Sequence, residues 1–207
     1  METKLQKAKK FLKESIINKK TNSLNDTNVY IDKLKYDVNS YSINNDFEHI
    51  NKFDVNELIS FFIDHQVPVF NLDLINKEID KVIPKLISKG KLTNKAHYYL
   101  KDLKIQLNFS KLYIPSEEEI ELSERFGWMS DDFGKLKDNR TDLLIYIVSK
   151  RNKIKIIITT NYENFINCEE IFKEKIDPND QEELLILTPQ EMVTVIDELK
   201  KELGEIK

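Results

Sequence analysis

With 207 residues, 33% of them charged, and a net charge of −4, the chain is long enough to bury a real core and too polar for a membrane domain. Its apolar runs are strand-length, and Met1-Glu-Thr-Lys-Leu-Gln-Lys7 lacks the apolar core of a secretory signal. A lone Cys168 excludes an internal disulfide and a cysteine-based zinc site, which fits a reducing cytoplasm, and four glycines (90, 127, 134 and 204) cannot assemble a phosphate-cradling loop.

The charge is uneven. Residues 1–110 hold 18 lysines against 14 acidic residues, whereas residues 111–207 hold 14 basic residues against 22 acidic ones. This shift places a boundary near Ser110 to Ser116 and divides the chain into a helical, basic half, 1–112, and an acidic α/β half, 113–207.

Residues 4–20 carry Leu5, Ala8, Phe11, Leu12, Ile16 and Ile17 at helical spacing among lysines, which predicts an amphipathic helix. Residues 21–53 are rich in Asn, Asp and Ser, with scattered Tyr30, Tyr36, Tyr41, Phe47 and Phe53. They read as loop with short helical pieces. Asp54-Val-Asn-Glu57 has the form of a capping box opening a helix through Leu58, Phe61, Phe62 and His65. A second helix starts near Asp73 and meets Pro84, which removes a backbone donor. The basic turn Lys89–Lys95 then completes a pattern of helix, turn, helix and hairpin-like turn that suits a winged-helix-like module.

Lys77, Lys81, Lys85 and Lys89 recur every four residues and are followed by Lys91 and Lys95. Spacing of four puts side chains on one helix face, so these lysines form a positive ridge that a phosphate backbone would reward through counterion release. The plain alternative is a solvated face. No arginine precedes Arg125, and base readout favours arginine, so contact with nucleic acid here would be nonspecific.

In the second half, Ser116-Glu-Glu-Glu119 caps a helix, and Gly127–Gly134 reads as a loop carrying Trp128, either as a core plug, the favoured reading, or as a binding tip. Asp142-Leu-Leu-Ile-Tyr-Ile-Val148 and Ile154-Lys-Ile-Ile-Ile-Thr-Thr160 are rich in β-branched and aromatic residues. With Lys150–Lys153 between them they predict a strand hairpin. A helix over about 163–175, a strand at Leu184–Leu187, and a helix opened by Thr188-Pro189-Gln190-Glu191 complete the expected order strand, strand, helix, strand, helix.

An Asp at the head of such a hairpin resembles the core of restriction-endonuclease-like nucleases, which use two carboxylates to hold Mg²⁺. The resemblance places Asp142 as the first carboxylate. The second strand ends in Thr159-Thr160-Asn161, where the family carries Glu-x-Lys, so a second carboxylate would have to come from Glu163 or Glu119. Ile158-Thr-Thr-Asn161-Tyr-Glu163 is also similar to the strand-end motif of sirtuin-like NAD-consuming domains, in which Asn and an acidic residue flank the nicotinamide. His49, His65 and His97 are too scattered for a metal pair, and Cys168 has no histidine signature beside it.

The expectation is therefore an α+β, cytoplasmic, non-enzymatic regulatory or binding protein. Its lysines 77, 81, 85, 89, 91 and 95 would meet nucleic acid or an acidic protein surface, and it would carry no catalytic residue, metal or cofactor. Asn-, Lys- and Ile-rich composition associates such chains with mobile elements. The alternative is a divergent Mg²⁺-dependent nuclease built on Asp142, with Glu163 or Glu119.

Overall fold

The computed structural model describes residues 2–39, 48–107, 112–130 and 136–204. Tyr41, Phe47 and Gly134, singled out above, lie outside them. In chain order the elements are α1 (Lys4–Asn18), β1 (Ser23–Asn25), α2 (Thr27–Asn39), α3 (Glu48–Asp64), α4 (Asp73–Ser88), α5 (Ala96–Gln106), α6 (Glu117–Phe126), β2 (Trp128–Ser130), β3 (Leu136–Asp138), α7 (Arg140–Arg151), β4 (Ile156–Ile158), α8 (Tyr162–Ile171), β5 (Leu185–Leu187) and α9 (Pro189–Leu203). A π-helical turn, Phe172–Ile176, extends α8. The class is α+β, as expected.

Three strands form a parallel sheet in the order β1-β4-β5, with Ser23 opposite Ile156 and Ile156 opposite Leu185. An isolated parallel bridge from Ser23 to Val69 extends the sheet beyond β1. β1 and β4 pair across the division drawn at 112/113. The charge asymmetry of the sequence therefore coexists with one sheet drawn from both sides of it.

The strongest local signals hold. Ser116 caps α6 in a reciprocal box with Glu119, and Thr188 caps α9 in another with Glu191, behind Pro189 in the first turn. Met192, Val195, Ile196 and Leu199 form the buried side of α9, which packs on α1 and α3.

Four local expectations fail for physical reasons. Residues 142–148 belong to helix α7, so there is no hairpin with β4. Leu143 through Lys150 are all buried, and a helix covered all round needs apolar residues on every side, imitating the composition of a strand. Asp142 in its first turn and Lys150 and Arg151 in its last are the charges a helix dipole prefers. Asp54 opens no helix, because α3 begins at Glu48 and Asp54 lies within it. The turn after α4 runs directly into α5, so the helix pair acquires no wing. Trp128 is half-exposed in β2, its ring under the Arg140 guanidinium at 4.5 Å, rather than plugged into the core.

Ile156, Ile157 and Ile158 are all fully buried. In the hairpin expected from the sequence, Ile156 and Ile158 would share one buried face. A parallel sheet covered by helices on both faces buries every residue, which explains the unbroken apolar runs of β4 and β5. Ile157→Ala is accordingly expected to destabilise the fold by about 2–5 kcal/mol, as much as Ile156→Ala. Denaturant unfolding checks this; a loss below about 1 kcal/mol at Ile157 would mean that one face of the sheet is open to water.

Candidate functional site

From β1 the chain reaches the Val69 bridge on one side of the sheet, then returns to β4 and β5 on the other. The strand order therefore reverses between β1 and β4. In open parallel sheets the crevice beyond the carboxyl ends of the strands at that point is where ligands bind. Beyond these strand ends the chain places carboxylates.

Asp26 follows β1 directly. Its backbone N–H donates to the Ile158 carbonyl at 2.9 Å, tying it to the end of β4. The Asp26 carboxylate is buried and accepts from the Thr27 backbone N–H at 2.7 Å and the Thr159 hydroxyl at 2.9 Å. Thr159 is held in turn, since its hydroxyl oxygen accepts the Asn161 N–H at 2.9 Å. Burial, followed by the charge of Asp142, pushes the Asp26 carboxyl up to about 7.

Glu78 enters from α4, where its carboxylate accepts the Thr27 hydroxyl at 2.6 Å. Asp26 and Glu78 are thus bonded to the same residue, one through its backbone and one through its side chain. Asp142 enters from the first turn of α7 and accepts the Asn164 amide at 2.8 Å and the Asn161 amide at 3.3 Å. Its carboxyl is also pushed up, first by burial and then, against the Asn164 bond, by the charge of Glu78. Lys137, on β3, donates to the Asn164 side-chain oxygen and draws the Asp142 carboxyl the other way.

Three carboxylates from three distant stretches therefore share one electrostatic environment at the sheet's reversal point. They accept hydroxyl, amide and backbone donors, and no ion pair among the described residues neutralises them. As oriented, no three described acidic, histidine or cysteine side chains make a ready cation cage. Gathering around a cation would need the carboxylates to turn away from Thr27, Thr159 and the two Asn amides. Their mutual repulsion favours that turn once a divalent charge is present.

The structure brings Asp142 to this cluster but neither of its expected partners. The Glu119 carboxylate is buried and committed to the α6 cap, accepting from the Ser116 N–H at 2.7 Å and from the Tyr113 hydroxyl. Glu163 is exposed in the first turn of α8. Asp26 and Glu78 take their place. Neither was read as functional in the sequence, and the one available signal was the run Asn25-Asp26-Thr27-Asn28 immediately before the apolar Val29, Tyr30 and Ile31. Asn161 does stand at a strand end, as its motif suggested, with its amide turned to Asp142.

The lysine ridge runs from the same helix. Lys77, Lys81, Lys85, Lys89, Lys91 and Lys95 are all exposed. Lys77 pairs with Asp73, and the other five form no ion pair among the described residues. Helix geometry puts Lys85 within about 20° of Glu78 around α4 and about 10 Å further along its axis, with Lys81 between. The ridge therefore leads away from the carboxylate cluster. Cys168 is buried, its thiol pushed up by burial and the nearby Asp142, which suits an inert packing role. His97 is exposed, His65 stacks on Phe61 with ring centroids 4.2 Å apart, and His49's side chain lies outside the described residues.

No family model, curated protein or solved structure matches the chain. Among the described residues no helix is long and apolar enough to cross a membrane.

Proposed function

We propose that the chain is a divalent-cation-dependent phosphodiesterase acting on nucleic acid, with Asp26, Asp142 and Glu78 as the carboxylates that gather a Mg²⁺- or Mn²⁺-sized ion. The observation that carries this reading is the convergence of those three side chains at the carboxyl ends of β1 and β4. Hard cations take oxygen ligands, and crowded carboxylates that no ion pair among the described residues neutralises suit such an ion, although the Lys137 charge already acts on Asp142. A bound cation lowers the pKa of its water and offsets the charge of a phosphate that the bare carboxylates would repel. Hydrolysis would break one phosphorus–oxygen bond, with the hydroxyl of water joining phosphorus and its proton going to the departing sugar oxygen, which leaves as a hydroxyl group.

The lysines favour a nucleic acid over a small phosphoester. A small ester would need only the cation, whereas a ridge extending about 10 Å or more from Glu78 suits a polymer that continues past the reacting phosphate. The Thr27 N–H at the start of α2 is already taken by the buried Asp26 carboxylate, which argues against a pyrophosphate there. A protein that uses the same lysines to bind without chemistry is the second reading, favoured by the amides of Asn161 and Asn164, which already satisfy Asp142.

The test is incubation of the full chain with single- and double-stranded RNA and DNA in Mg²⁺, in Mn²⁺ and in EDTA. Cleavage that needs the cation and disappears in Asp26→Asn supports the enzyme. Binding of the same oligonucleotides with no cleavage in either metal leaves the binding-only reading.

A further inference from the structure

The exposed aromatic residues beyond the ridge narrow the substrate. Tyr98, near the start of α5, is 76% exposed and has no side-chain partner among the described residues, and Tyr99 beside it is partly exposed. Tyr98 lies opposite the face of α5 that buries Ala96, Leu100 and Leu103. Lys95 and Lys101, three residues to either side, stand about 60° from it around the helix. The turn from α4 to α5 is compact, with the Gly90 N–H donating to the Ile87 carbonyl at 2.9 Å and the Lys91 N–H to the Leu86 carbonyl at 2.9 Å. Gly90 has φ of 68°, the left-handed conformation that permits this reversal. The turn therefore carries Lys89, Lys91 and Lys95 from the end of the ridge to the tyrosine.

We infer that this surface is a track for single-stranded nucleic acid, in which the α4 lysines follow the phosphates and Tyr98 stacks on an unpaired base. The inference rests on the reading that this face holds nucleic acid, and it adds which form is held. A large ring left mostly in water, with no partner among the described residues, offers a flat surface to a base. Bases in a duplex are stacked on one another and hide their faces, so Tyr98 would have nothing to meet there. The lysines carry charge without the forked geometry that reads base edges, so the track tolerates any sequence. Electrostatic attraction along the backbone combined with a stacking ring is the usual basis of sequence-tolerant single-strand binding.

The experiment measures fluorescence anisotropy of labelled 20-nucleotide single strands and of the matching duplex in EDTA, where no cleavage occurs. Single strands are expected to bind more tightly than the duplex, with affinity falling as salt rises. Tyr98→Ala should weaken single-strand binding about 5- to 150-fold, the range for removing one stacking ring, and Tyr98→Phe should retain it. Asp26→Asn should bind at least as tightly as the wild type in EDTA, because it removes a charge that repels phosphate, so weakening by Tyr98→Ala but not by Asp26→Asn separates the track from the cleavage centre. Equal affinity for duplex and single strand, or no effect of Tyr98→Ala, overturns the inference even if cation-dependent cleavage is found. Loss of cleavage with stacking intact would instead remove only the proposed chemistry.

Discussion

Asp26→Asn and Asp142→Asn are each expected to lower cation-dependent cleavage by about 10²–10³-fold, on the scale of removing a group that stabilises transition-state charge. Both substitutions keep side-chain volume and leave hydrogen-bonding capacity toward Thr159, Asn161 and Asn164, so the fold should survive. Glu78→Gln should lose less, because Glu78 is only partly buried and contributes to the cluster from its rim. Lys85→Glu combined with Lys89→Glu should act differently, raising KM at low salt with little change in kcat, since these lysines hold the polymer rather than the reacting phosphate. A kinetic split in the opposite sense would separate the ridge from the substrate.

The second large effect is on stability, and its direction follows from the raised carboxyl of Asp26. An aspartate lifted from its ordinary value of 3.8 to about 7 binds its proton more tightly in the folded chain than in the unfolded one. Stability is then fully present at pH below about 4 and falls as pH rises from there through about 7, where the folded carboxyl ionises. At pH 8 Asp26→Asn should therefore be more stable than the wild type by on the order of 4 kcal/mol, at about 1.4 kcal/mol per pH unit of displacement. At pH 4, where Asp26 is already protonated when folded, the two proteins should unfold alike. Urea titrations at the two pH values measure the difference directly. A wild-type chain as stable as the variant at pH 8 would show that Asp26 ionises without penalty.

The ends of the chain's elements were more legible in the sequence than the place where its carboxylates gather. Thr188-Pro189-Gln190-Glu191 and Ser116–Glu119 announce α9 and α6 because capping is a local interaction among four residues. β1 is Ser23-Leu24-Asn25, three residues with a single apolar side chain, and neither period-two alternation nor length marks it. Its position is fixed by pairing with Ile156–Ile158, more than a hundred residues away, which no local pattern encodes. Asp26 was unremarkable for the same reason. Its significance depends on the end of β4, on Glu78 and on Asp142, none of which is near it in the chain. Asp142 itself reads from the sequence as the head of a strand. The buried environment that made α7 apolar on every side also made it read as extended, and that error pointed to Glu163 and Glu119 as partners. The lysine ridge was legible because spacing of four is a local property of a helix, and Pro84 leaves α4 continuous from Asp73 to Ser88.

The central claim is that Asp26, Asp142 and Glu78 jointly hold a divalent cation, and calorimetric titration of Mn²⁺ into the metal-free chain tests it most directly. Because Asp26 must lose its proton to bind, the apparent affinity should be higher at pH 8 than at pH 6, and binding at pH 6 should release a proton. Saturation to a hundred times Kd should also stabilise the fold by about 2.7 kcal/mol, visible as a rise in Tm. The double variant Asp26→Asn/Asp142→Asn should show neither the heat nor the rise. Equal Mn²⁺ binding by the wild type and the double variant, or none by the wild type at pH 8, would contradict the account.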